Sequence, residues 1–351
     1  MSRDRMTFGM IVMIPLVQLL LFGYAINSVV RNIPIAVVDL SGSAAARVIT
    51  EQVRVTQVVD IVANFDTPQQ AEAAVVAGQV RAALVFPVNL TERIAGGETV
   101  AQWLVDASDT MVSSALLSLR AMPLHLEAGA PTGAYLPAVP SFELALLFNP
   151  ERRSEVNIVP GLTAIVLTMT MILFTSLALV RERERGNMEL LITTPVLPME
   201  LMVGKLLPYV LVGLIQVGII LGLGRVVFRI PFAGDLASLA IITLAFIAAS
   251  LTLGLLISTI ARTQLQAMQM TVFILLPSIL LSGFMFPYDA MPEPAQYIAE
   301  VFPATHFIRL IRGVVLRGAH AGQMLPDIAW LLVFTAVMLT IATLRFRKSL
   351  D

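Results

Sequence analysis

The sequence predicts a polytopic α-helical membrane protein with six transmembrane helices and an α/β domain inserted between the first two. Three observations predict it. The 351 residues are 57% hydrophobic and 13% charged, with a mean hydropathy of +0.83, whereas soluble domains run at roughly 45–50% apolar and about 25% charged. Six uncharged runs approach the roughly 20 residues that an apolar helix needs to cross a bilayer. Between the first two runs, Arg31–Glu155 carries a different pattern, in which short β-branched stretches alternate with amphipathic ones. A soluble enzyme of this length could not hide so much apolar surface, and disorder is excluded by the same composition.

The remaining composition narrows the chemistry. The net charge of −1 offers no basic footprint for nucleic acid. The chain has no cysteine, which excludes disulfides, thiolate metal sites and a cysteine nucleophile. His125, His306 and His320 are the only histidines, and no two stand at metal-ligand spacing.

The elements follow in order. Phe8–Val30, behind Arg3 and Arg5, reads as an uncleaved signal-anchor. The competing reading, a cleaved signal peptide, lacks a small-x-small site before Arg31. In the insert, Ile33–Asp39, Val55–Phe65, Arg81–Phe86 and Val100–Asp106 read as strands. Helices are expected over Ser41–Arg54, over Thr67–Gly78 with Thr67 as cap and Pro68 in the first turn, and over Asp109–Gly129. The expectation is a domain of about four strands. The later spans are Ile158–Val180, Leu206–Gly224, Leu236–Ile260, Thr263–Tyr288 and Ile328–Leu344. The chain therefore divides into residues 1–30, 31–155 and 156–351.

Arg3, Arg5, Arg181, Arg183, Arg185, Lys205, Arg262, Arg345, Arg347 and Lys348 all flank the spans on one side if there are six. The positive-inside rule makes that side cytoplasmic and puts both termini there. Arg225 and Arg229 fall on the other side. The insert carries 8 arginines against 13 acidic residues, a net charge of −5 that suits a non-cytoplasmic face.

No phosphate-cradling G-x-x-x-x-G-K-[ST] exists: Gly204-Lys205 is the one Gly-Lys pair, with Met199 and Leu206 at the flanking motif positions. No cofactor is expected in this chain, and any ATP dependence must come from a partner. The six runs also contain no Asp, Glu, His or Lys to serve as acid, base or metal ligand, so an intramembrane enzyme is poorly supported. Within the spans, Gly218-x-x-x-Gly222 would let helices approach closely. Gln216, Gln266 and Gln269 are costly in lipid unless they face protein.

The segment between the second and third spans reads RERERGNMELLITTPVLPMELMVGK from Arg181 to Lys205. Glu182–Arg185 and Arg181–Glu184 stand at i,i+3 on a helix, Gly186 permits a turn, and Pro195 and Pro198 end a short amphipathic piece. By itself it reads either as an interfacial loop with a solvated charge run or as a docking element. This segment resembles the ABC-2 type transporter permeases, in the subgroup with a large extracytoplasmic domain between the first two spans. The matching residues are Arg181-Glu182-Arg183-Glu184, Gly186, Glu189, Leu190-Leu191, Thr194-Pro195, Glu200, Gly204-Lys205 and Pro208-Tyr209. Further matches are Asn149-Pro150 with Val159-Pro160-Gly161, and Leu281-Ser282-Gly283-Phe284-Met285-Phe286-Pro287. Pro303, His306-Phe307 and Arg312-Gly313 continue them.

The resemblance implies the membrane-spanning subunit of an ATP-driven exporter of drug-like or amphiphilic substrates in a bacterial inner membrane. A separate ATP-binding subunit, carrying the ATP and Mg, would press on the coupling residues Arg181, Glu182, Arg183, Glu184, Gly186, Glu189, Leu190, Leu191, Pro195, Glu200 and Lys205. A second copy or a sister permease would complete the path, and a periplasmic adaptor is a further candidate partner. Residues 287–326 would form a short hairpin in the outer leaflet that seals the path, with Gly283, Pro287, Pro303, His306, Arg312 and Gly313 as gate residues. Within it, Pro303–Arg317 has an apolar face from Phe307, Ile308, Ile311, Val314 and Val315, with Arg309 and Arg312 opposite. The alternative function is a polytopic receptor or scaffold that senses an external ligand through residues 31–155.

Overall fold

The computed structural model describes residues 31–124, 142–185 and 198–345. The first expected span, Phe8–Val30, lies outside the described residues, as do positions 186–197 of the coupling segment. The insert folds as a mixed five-stranded sheet in the order β2-β1-β3-β4-β5. Its strands are β1 (Ile33–Asp39), β2 (Val59–Phe65), β3 (Ala82–Phe86), β4 (Ala101–Asp106) and β5 (Phe142–Leu147). β1 runs parallel to β2 and β3, β3 runs antiparallel to β4, and β4 runs parallel to β5. The four expected strands are all present, and β5 is an addition.

Strand alternation builds two cores, because successive side chains point to opposite faces. Ile33, Ile35, Leu84, Phe86, Trp103 and Phe142 bury one face under α1 (Ala44–Val55) and α4 (Thr110–Ser118). Ala36, Val38, Ala83 and Val85 bury the other under α2 (Pro68–Val76). The short α3 (Leu90–Gly96) contributes Leu90 to the first face. The caps are local chemistry: the Ser43 and Thr67 side chains accept from the backbone N–H of Ala46 and Gln70. Asp109 caps α4 by accepting from Met111 and Val112. That helix ends at Ser118, well short of the expected Gly129.

Among the described residues, five helices are long and apolar enough to cross a membrane. They belong to α5 (Ser154–Glu184), α6 (Pro198–Phe228), α7 (Leu236–Ile260), α8 (Gln264–Leu281) and α11 (Leu325–Arg345). α7 is central and packs against the other four. Gly254 permits its close approach to α5: a Cβ there would meet the carbonyl oxygen of Ile172 at 2.8 Å. Between α8 and α11 the chain forms α9 (Glu293–Ala299), α10 (Pro303–Arg312) and a π-helical segment, Gly313–Arg317. These helices fall within residues 287–326, the segment expected to form a short hairpin.

The polar residues of the spans are largely satisfied by helix geometry. Thr163 and Thr168 donate to the carbonyls of Val159 and Ala164 on their own helix. Gln216 on α6 accepts from Thr170 at 2.9 Å, which ties α5 to α6. Gln266 is buried and its side chain accepts from the Arg262 backbone. The Gly218–Gly222 pair departs from expectation. Among the described residues nothing lies within 4 Å of a Cβ at either position, so no described helix uses the close approach that the pair permits.

Candidate functional site

The sheet sits on the hairpin through a buried cluster of charges. Arg317, at the end of the π-helical segment, donates from Nη1 to Asp106 Oδ2 at 3.3 Å. Its Nε donates to the carbonyl of Val76 at the end of α2, at 3.1 Å, where helix carbonyls lack partners and a cation is favoured. Arg81 donates from Nε to Asp289 Oδ2 at 3.0 Å and lies 3.6 Å from Asp106. Arg312 Nη1 stands 3.9 Å from Asp109 Oδ2. Three guanidiniums thus meet three carboxylates, drawn half from the sheet and half from the hairpin.

The electrostatics follow from this geometry. Burial opposes ionisation of Asp106, but Arg317 and Arg81 outweigh it and hold the carboxyl below its ordinary range. Asp289, supported by Asp106 and Asp109 against the cost of burial, raises the Arg81 guanidinium above its ordinary value. The apolar contact is continuous with the polar one. Ala290, in the hairpin's first turn, belongs to the same core as Ile33, Leu84 and Trp103. Gly78 closes the fit: it has φ +74, and a Cβ there would stand 2.7 Å from Arg317 Nη2.

The expected gate residues all fall in or beside this hairpin. Gly283 turns the chain out of α8 with φ +82, and Pro287 precedes the turn that carries Asp289 and Ala290. Pro303 opens α10, and Gly313 begins the π-helical segment. His306 is 3% exposed, with Nδ1 2.7 Å from Asp327 Oδ1 and Nε2 3.0 Å from the carbonyl of Glu300. Its ring stacks on Trp330 at 4.0 Å. Arg309 pairs with Glu300 and lies 4.3 Å from the centre of the Tyr288 ring. Arg312 corrects the sequence reading. It was expected opposite the apolar face, yet it is buried, because Asp109 and the sheet cover that side of α10. Its Nη2 lies 3.6 Å from a Cβ position at Gly161 on α5.

The expected coupling residues lie at the opposite end of α5. Arg181, Glu182, Arg183 and Glu184 form its last turn. Instead of closing an i,i+3 pair with Arg181, the Glu184 carboxylate accepts from both the backbone and the side-chain N–H of Gln264, the first residue of α8. Those bonds, the side-chain one foremost, hold its carboxyl below the ordinary range. Glu200 and Lys205 occupy the first turns of α6. Gly186, Glu189, Leu190, Leu191 and Pro195 lie outside the described residues. α5 is a continuous helix of 31 residues with Pro160 near its start, about 45 Å long at 1.5 Å per residue. One end bears on the hairpin through Gly161, and the other holds α8 through Glu184.

Residues 5–344 match the family described as ABC-2 family transporter protein. The chain belongs to that family. It is 28% identical to the probable multidrug ABC transporter permease YbhS of Escherichia coli K12, over 99% of this chain and 94% of the relative. It is 27% identical to the probable multidrug ABC transporter permease YbhR of the same organism, over 99% and 95%. The inner membrane transport permease YhhJ, also of Escherichia coli K12, is 34% identical over 60% of this chain and 56% of the relative. The ABC-2 match spans both the α/β sheet and the helical bundle, so the sheet–hairpin junction lies inside the matched region. Among the described residues of this ABC-2 permease, no group of three or more His, Asp or Glu could hold a metal.

Proposed function

We propose that this ABC-2 permease is the membrane subunit of an ATP-driven exporter that moves a drug-like or amphiphilic substrate out of the cytoplasm. Hydrolysis would occur on a separate ATP-binding subunit, because no segment of this chain carries a phosphate-cradling loop. The multidrug relatives support the substrate class. The observation that carries the mechanism is α5, which joins the coupling residues at Glu184 to the hairpin at Gly161 as one rod. An ATPase closing against residues 181–205 would shift α5 and α8 together, since Glu184 holds both. The shift would reach Phe284 and Arg312, which pack at Gly161, and would open the hairpin. Such rigid-body transmission is a known mode of switching.

In this reading the α/β sheet faces the outside and the basic end of the bundle faces the cytoplasm. The helix ends support it: α5, α7 and α11 close at or beside Arg181, Arg262 and Arg345 in turn, and basic residues favour the cytoplasmic side. Co-purification with an ATPase, followed by ATP-dependent transport in proteoliposomes, tests the function. Export is expected only when both subunits are present, and transport by the permease without nucleotide overturns it. Topology reporters at Gly97 and Asn187 are expected on opposite sides of the membrane. Same-side signals overturn the placement.

A further inference from the structure

We propose that a cavity between α6 and α7 holds one acyl chain of an acidic bilayer phospholipid, with Arg225 pairing with its headgroup. The cavity measures about 360 Å³ and is walled by Val217, Gly218, Gly222, Leu239, Thr243 and Val315. That volume is at the small end of ligand sites, which run from about 300 Å³ upward, and suits a slender chain better than a bulky ring system. The side chains missing at Gly218 and Gly222 make the room, because among the described residues a Cβ at either position would meet nothing within 4 Å.

Two polar features give the apolar space a direction. Thr243 is 1% exposed and its hydroxyl makes no hydrogen bond among the described residues. By contrast, Thr163, Thr168, Thr252 and Thr271 each donate to a carbonyl four residues back on their own helix. The Thr243 side chain lines the cavity instead and stands ready to donate to an ester or headgroup oxygen. Arg225 is exposed and is the one charged residue among the described lining.

The bilayer is the nearest source of such a ligand. On α6, Ile215, Ile219, Leu223 and Val226 are all exposed, so among the described residues the surface beside the cavity is apolar and suits contact with lipid. An interfacial arginine attracts anionic headgroups. Charge therefore selects an acidic phospholipid over a zwitterionic one.

Photolabelling of the full chain in nanodiscs tests the proposal. The probes are phosphatidylglycerol and phosphatidylcholine, each with a diazirine in one acyl chain. The acidic probe is expected to label Leu239 to Thr243 about fivefold above the zwitterionic one, the effect of one interfacial arginine. Arg225→Gln should bring the two to the same level. Gly222→Leu should remove labelling by filling the cavity, and Thr243→Leu should do so from the opposite wall should the first variant fail to fold. Equal labelling by both probes, or labelling untouched by both filling variants, overturns the proposal. So does a cross-link from position 243 to the N-terminal segment or to a second copy, which would show the cavity filled by protein. Labelling that falls on addition of ATP and the ATPase partner would assign the cavity to transported substrate and overturn the lipid assignment.

Discussion

Arg317 ties the hairpin to strand β4: its Nη1 donates to Asp106 Oδ2 at 3.3 Å, across 211 residues of sequence. Both side chains are almost completely buried. Removing one partner of such a pair leaves a charge without solvent, which costs about 3–5 kcal/mol. Asp106→Ala is therefore expected to lower the stability of the purified permease by about that amount. A double variant, Asp106→Ala with Arg317→Met, should recover part of the loss. Denaturant unfolding of the three proteins checks this, and strictly additive losses would exclude the pairing.

The same carboxylate sets a pH dependence. Its folded value lies below the ordinary range, so its contribution is fully present above the unfolded value near 3.9. The contribution is lost as pH falls through the folded value. The melting temperature of the wild type should thus fall more steeply below about pH 4 than that of Asp106→Asn, which has no carboxylate to protonate. Parallel curves would contradict the assignment.

Gly254 limits how closely α5 and α7 pack. With the Ile172 carbonyl 2.8 Å from a Cβ position, even Gly254→Ala must push the helices apart. Overpacking of this kind costs about 1–3 kcal/mol. Gly218→Ala, with no described atom within 4 Å of its Cβ, should not destabilise and should gain about 0.5–1 kcal/mol of helix propensity. Thermal melts of the two variants in detergent separate the cases.

Coupling should depend on the segment after α5. Glu189→Ala with Leu191→Ala is expected to leave expression and insertion intact, because both residues fall between the second and third runs of apolar sequence. ATPase pull-down and ATP-dependent transport should both fail, since burying Leu191 is worth roughly 1.5–3 kcal/mol before association costs and the Glu189 carboxylate is lost with it. Arg181→Ala should do less, because an exposed ion pair contributes at most about 1 kcal/mol. Full binding and transport by the double variant would reduce the segment to a connector.

Much of the architecture is written in local pattern. Thr67-Pro68 marks a helix start because a cap oxygen and a fixed φ act within one turn. Ile33–Asp39 announces a strand by its β-branched run. β5 carries no comparable signal. Phe142–Leu147 has a single charged residue, and only pairing with β4 makes it a strand. The junction was hidden for a different reason. The periodicity of α10 separates Arg309 and Arg312 from the apolar stripe, but it cannot say what lies over them. Arg309 finds Glu300 nearby in sequence, whereas Arg312 finds Asp109 some two hundred residues away. The Gly218–Gly222 spacing reveals small residues and not what fills the space beside them.

The presence of Ala290 in the core of the sheet has a consequence for any attempt to move this domain. Residues 33–147 are not a simple detachable module, because one residue of their core, Ala290, and half of the buried charge cluster arrive from positions 289–317. During synthesis the sheet must wait for four further membrane helices before its last contacts exist. A graft of the sheet onto another permease therefore has to carry the hairpin with it, or exchange Asp106 and Arg317 as a pair.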